Sequence, residues 1–96
     1  MRRSDVIACL QAHLDDLGQF HIRSLSIFGS VARDEARADS DVDLLVEFGR
    51  PPTFLDFMDA KLSIEAWLGT SVDLVTVSSL KPMLRPRVER EAFRVA

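Results

Sequence analysis

The sequence predicts an α/β (α+β) fold. It reads as one small domain, residues 1–96, with a mixed β-sheet of about three to four strands packed with helices in the order α-β-α-β-α-β-α. Three observations predict this. In Val42 to Phe48 an apolar face (Val42, Leu44, Val46, Phe48) alternates with a face of Asp43, Leu45 and Glu47, the period of a half-buried strand. A second strand-like run, Val72 to Val77, follows after a helix-length segment, which implies a right-handed crossover and a parallel pair. Helical stripes occupy most of the remaining chain.

Taken in order, Ser4 to Leu17 carries Ile7, Leu10, Leu14 and Leu17 at steps of three and four. Ser4 suits the helix start, Asp5 its first turn and Gly18 its stop. Leu25 to Phe28 reads as a short strand ended by Gly29. Val31 to about Arg37 has room for two helical turns with Ser30 at their N-terminal end, and Ala38-Asp39-Ser40 is a polar break. In the strand Val42 to Phe48, Val42, Leu44, Val46 and Phe48 share one face that must be buried. Gly49-Arg50-Pro51-Pro52 is a turn, because two prolines forbid continuation. Thr53 caps a helix to about Leu68, with Phe54, Met58, Leu62 and Ala66 as its central stripe, widened by Phe57, Leu55 and Trp67. Gly69 ends it. Ser78 to Met83 is a loop, and Pro86 opens a last helix to about Phe93 with Arg87, Arg90 and Arg94 on one face.

Bulk composition narrows the function. A net charge of −3, from 12 basic and 15 acidic residues, argues against general adhesion to nucleic acid, and no direct nucleic-acid partner is expected. The basic residues gather late: Lys81, Arg85, Arg87, Arg90 and Arg94 face only Glu89 and Glu91 after position 80. A single cysteine, Cys9, excludes an intrachain disulfide and a cysteine-based zinc site, and reads as a packed bystander. His13 and His21 each stand apart from a second nitrogen or sulfur ligand. No run approaches the ~20 apolar residues of a membrane span. The expectation is a soluble, untargeted, cytoplasmic protein.

The chemistry gathers between Ser26 and Glu47. A triphosphate needs backbone N–H donors at close approach, which a glycine at a strand end allows. Gly29-Ser30 sits at such an end. The accompanying Mg²⁺ needs one or two carboxylates, with phosphates and waters completing its octahedron. Asp41 and Asp43 project from the same strand face, about 6.5–7 Å apart. Asp73, near the start of the next strand, stands beside them if the strands are parallel. For the Gly-Ser end of strand one to meet the aspartates of strand two, those strands must be antiparallel. Unpaired acids entering an apolar strand cost several kcal/mol, roughly, unless a cation or partner offsets them.

Phe28-Gly29-Ser30, ten intervening residues, then Asp41-Val42-Asp43-Leu44-Leu45-Val46 resembles the signature of the polymerase-β-like nucleotidyltransferase superfamily. Within it the chain is similar to the minimal nucleotidyltransferases, including the antitoxins paired with HEPN-domain toxins. The resemblance extends to Arg33 after Gly-Ser, Ser40 before the first aspartate, Asp73 and the basic closing helix. It implies the nucleotidyltransferase (polymerase-β palm-like) fold. It also implies one or two Mg²⁺ ions held by Asp41, Asp43 and Asp73, which double as catalytic residues, with Asp73 helping to take the proton from the attacking hydroxyl. Gly29, Ser30, Arg33 and Ser40 would bind the nucleotide. Many members carry glycine after that arginine; here Asp34 adds an acid near the phosphates.

The implied activity is transfer of AMP from ATP to a hydroxyl of a partner protein, a HEPN-domain RNase toxin. The long central helix or the arginine face of the last helix would dock it. Two other functions stay open on the residues alone: a non-catalytic binding antitoxin, and an enzyme acting on a small hydroxylated molecule.

Overall fold

A computed structural model describes residues 1–37 and 39–96. Ala38, part of the expected polar break, lies outside the described residues. The elements are α1 (Arg3–Gln11), α2 (Leu14–Gln19), β1 (Ile22–Phe28), α3 (Gly29–Ala32), β2 (Val42–Phe48), α4 (Phe54–Leu68), β3 (Val72–Thr76), a 3₁₀ turn (Val77–Ser79), α5 (Arg85–Glu91) and β4 (Phe93–Arg94). The sheet order is β3-β2-β1-β4. β2 and β3 are parallel, whereas β1 pairs antiparallel with both β2 and β4. This is the mixed sheet the sequence predicts.

β2 occupies the expected residues, and Val42, Leu44 and Val46 are buried while Phe48 at its end is only half-buried. They join Leu25 and Ile27 of β1, Leu74 of β3, Val6 and Leu10 of α1, and Ile64 of α4 in one core.

The first helix departs from expectation: it breaks at Ala12-His13. No glycine or proline causes this. His13 instead lies flat on Trp67, with ring centroids 4.2 Å apart and planes 2° from parallel, and its Nδ1 is 2.8 Å from Asp16 Oδ2. The Cys9 thiol donates to Trp67 O at 3.3 Å, in keeping with a packed role. The break rephases the chain, so Leu17 is buried and Leu14, expected on the stripe, is 47% exposed. Ser4 lies inside α1 rather than capping it. Asp5 Oδ2 accepts the Arg2 N–H at 3.1 Å, and a distant residue adds to the cap: Asp34 Oδ1 accepts the Arg3 N–H at 2.9 Å.

α4 begins as expected. The Thr53 hydroxyl accepts the Asp56 N–H and the Asp56 carboxylate accepts the Thr53 N–H, both at 3.1 Å, while Gly69 closes the helix in the left-handed region. Its buried face differs from the expected stripe. Ala60, Ile64 and Leu68 are buried with Phe57 and Trp67 against them, whereas Phe54, Leu55, Leu62 and Ala66 are exposed. Apolar residues cover so much of this helix that periodicity names two stripes, and only packing selects one.

The C-terminus also departs. α5 stops at Glu91 because the chain turns extended at Ala92, and Phe93 and Arg94 then pair with Ile27 and Ser26 of β1. Arg94 therefore leaves the face it was expected to share with Arg87 and Arg90. β3 ends one residue early, with Val77 in the 3₁₀ turn.

The two faces of α4 and the core of β2 make a direct contrast. Leu44→Ala is expected to lower the unfolding free energy by about 2–5 kcal/mol. Leu62→Ala, at 55% exposure, should change it by less than about 0.5 kcal/mol, both measured by urea denaturation.

Candidate functional site

The site is built where three chain segments converge on the β1–β2–β3 face opposite the core. Antiparallel pairing sets Phe28, the last residue of β1, against Asp43. Parallel pairing sets Asp73 beside Asp43 on the other side. Asp41 lies exposed just before β2. The sheet register thus brings Gly29, Asp43 and Asp73 together, as the alternation in the sequence requires.

Gly29 has φ +71°, and a Cβ built there would overlap the Asp43 carboxylate. Only a residue without a side chain fits between the end of β1 and this acid. α3 is a single turn rather than the two expected, because Asp34 takes φ +56° and reverses the chain. Aspartate tolerates this region better than most residues. The Asp34 carboxylate is spent on the Arg3 N–H and lies 3.9 Å from the Arg3 guanidinium. Arg3 Nη1 also donates to Ala32 O at 2.9 Å, so α1 grips the turn that carries Ser30. Asp34, the acid expected near the phosphates, thus has its charge partly offset by Arg3.

The Asp43 pKa is raised above the ordinary carboxylate value of 3.8, first by burial, then by the charges of Asp73 and Asp41; Arg33 pulls it back down. Three like charges share this corner, and one cation offsets them in part. Arg33 is held by Glu35 and Glu91, each at 3.1 Å. Its pairing with Glu91, 58 residues away, carries no sequence signal, whereas Glu35 is close enough along the chain to have been suspected. Ser40 turns its hydroxyl to the Arg37 N–H at 3.0 Å and closes the loop before Asp41.

Among the described residues, no group of three histidine, cysteine or acidic side chains is arranged to hold a metal ion. Mg²⁺ does not need one, since it retains waters and takes phosphate oxygens beside one or two carboxylates. Burial and then two neighbouring carboxylates push the Asp43 pKa up against the pull of Arg33 alone, and hard oxygen donors suit a divalent cation there. The donor set fits Mg²⁺. A groove of about 480 Å³ lies elsewhere, at the far ends of β2 and β3, lined by Phe48, Arg50, Pro51, Val77 and Arg85 among others.

Comparison with known proteins decides the family. The model of the nucleotidyltransferase domain matches residues 10–95. The chain belongs to the nucleotidyltransferase family. It is 42% identical over 92 residues to the protein adenylyltransferase MntA of Thermococcus cleftensis, covering 95% of this chain and 93% of that protein. A solved structure assigned as a minimal nucleotidyltransferase superposes with a TM-score of 0.85 at 43% identity, over 97% of this chain and 95% of that one. A toxin–antitoxin structure with AMP-PNP shares the fold, with a TM-score of 0.71 at 18% identity, over 100% of this chain and 73% of that one. The nucleotidyltransferase resemblance read from Gly29-Ser30 and Asp41-Val42-Asp43 is thus shown. Among the described residues, no helix is long and apolar enough to cross a membrane.

Two outcomes test the geometry. Gly29→Ala should destabilise the fold by about 1–2 kcal/mol from the left-handed backbone alone, with the overlap adding to it. The added part should shrink when Asp43 is also made Ala, as read by paired urea curves. The raised Asp43 pKa fixes a sign for pH. Below pH 3.8 the carboxyl is protonated folded or unfolded, and it contributes nothing. As pH rises through the folded value, ionisation costs folding stability, and the cost persists above it. Asp43→Asn should therefore raise the Tm of metal-free protein at pH 7 and leave it nearly unchanged at pH 3, measured by calorimetry.

Proposed function

We propose that this nucleotidyltransferase is a Mg²⁺-dependent protein adenylyltransferase. It would move AMP from ATP to a hydroxyl of a HEPN-domain toxin, and act as that toxin's antitoxin. One observation carries the site reading: Gly29 lies against Asp43, and Asp43 lies in register with Asp73. A phosphate cradle and a carboxylate cluster thereby share one corner. The similarity to MntA supports the reaction, and the toxin–antitoxin fold neighbour with AMP-PNP supports both the nucleotide and the partner. The HEPN class of the partner follows the resemblance carried by Phe28-Gly29-Ser30 and Asp41-Val42-Asp43.

In this mechanism Gly29 leaves the backbone open at the strand end, and the first N–H groups of α3, without intrahelical partners, face the phosphates. Asp41 and Asp43, with Asp73, would hold Mg²⁺, which supplies neutralisation of phosphate charge and alignment for in-line displacement. Asp73, exposed and in register with Asp43, takes the proton of the entering hydroxyl. The hydroxyl oxygen bonds to the α-phosphorus as the bond to the bridging α–β oxygen breaks, and pyrophosphate departs. Arg33 offsets charge at the phosphates. The partner presents its hydroxyl from outside, and the exposed Phe54, Leu55 and Leu62 of α4 offer it an apolar contact surface.

The test is transfer of label from α-labelled ATP to the toxin in the presence of Mg²⁺. Asp41→Asn/Asp43→Asn should lower the rate at least about a hundredfold, as should chelation of the metal. Toxin neutralisation that survives the double substitution without label transfer would sink the catalytic reading and leave a binding antitoxin.

A further inference from the structure

Arg33 follows the single turn α3, on an exposed stretch where an arginine would ordinarily sample many rotamers. Here two carboxylates engage two different nitrogens. Nε donates to Glu35 Oε2 and Nη1 to Glu91 Oε2, each at 3.1 Å. Bonds to two nitrogens of a planar guanidinium fix its plane as well as its position. Nη2 has no hydrogen-bond partner among the described residues, so one side of the fork stays available while the other is anchored.

The two anchors differ. Glu35 is 66% exposed and two residues from Arg33, whereas Glu91 is 27% exposed and closes α5. Glu91 Oε1 also lies 3.6 Å from Arg87 Nε, one turn earlier on α5. Its charge is therefore shared between two arginines, which limits the repulsion it would exert on a phosphate. What it chiefly supplies is direction.

We propose that Glu91 is a positioning residue of the nucleotide site, orienting Arg33 so that its free edge meets the triphosphate. The inference rests on the nucleotide reading of Gly29, Asp41 and Asp43. It makes α5 part of that site, although none of its own side chains need touch the nucleotide. The Arg33 N–H donates to Gly29 O at 3.3 Å, so the arginine closes the same turn that carries Gly29 and Ser30.

The experiment measures binding of AMP-PNP with Mg²⁺ by calorimetry, and KM and kcat for ATP in the label-transfer assay. The proteins compared are the wild type, Glu91→Gln, Glu91→Asp, Arg33→Ala and the double variant Arg33→Ala/Glu91→Gln. Glu91→Gln should weaken AMP-PNP binding about three- to tenfold, raise KM for ATP by a similar factor and change kcat much less. Glu91→Asp, which keeps the charge but shortens the reach, should fail to restore affinity. The double variant should bind no more weakly than Arg33→Ala alone, because the effect of Glu91 passes through that arginine. If wild type binds but Glu91→Gln binds as well or better, or if the two losses multiply, this inference is overturned alone. If wild type does not bind AMP-PNP, the nucleotide reading fails and takes the inference with it.

Discussion

The structure depends on how closely the end of β1 approaches the start of β2. Gly29 leaves the strand with φ +71° directly against the Asp43 carboxylate, where a Cβ has no room. Two pairings set this contact. The antiparallel β1–β2 ladder places Phe28 against Asp43, and the parallel β2–β3 ladder places Asp73 beside it. A slip of one residue in either ladder would turn the acids toward the core, where ionised carboxylates are not tolerated unpaired. The apolar face of β2 and the acidic site are thus opposite consequences of one register.

Around that corner the chain ties its two ends to the turn in the middle. Arg3, at the start of α1, donates to Ala32 O and pairs with Asp34, and its guanidinium lies 5.0 Å from the Phe93 ring centroid. Glu91, at the end of α5, pairs with Arg33. The four-residue α3 is anchored by Val31 and Ala32, both buried in the core. Long-range polar ties add to that packing and fix the exposed residues that follow it. The like charges at Asp41, Asp43 and Asp73 pull the other way, and their mutual repulsion is what a bound cation would relieve.

Much of this was legible in the residues. The period-two alternation of Val42 to Phe48 specified β2 and its buried face, and the length of the crossover to Val72 specified a parallel neighbour. Thr53 and Gly69 marked both ends of α4, because caps satisfy orphan backbone groups with local residues. Other features were not legible. The break at Ala12-His13 answers to Trp67, more than fifty residues away, and not to a local breaker. The buried stripe of α4 was one of two that its sequence permits. β4 is two residues long, too short to show an alternation, and exists because Phe93 and Arg94 reach the open edge of β1. The role of Asp34 as a cap for α1 joins residues 31 apart.

By itself, then, the sequence determined what depends on near neighbours: strand period, the caps of α4, the glycine at a strand end, and the close spacing of Asp41 and Asp43. Those features also carried the family, since phosphate and metal chemistry demands residue types at short, fixed separations. Tertiary structure alone decided which helix stripe is buried, where the first helix breaks, what holds Arg33, and where the acid after it points. Each of these is a choice between locally equivalent conformations. The energy that selects among them comes from side chains that meet only after the chain has folded.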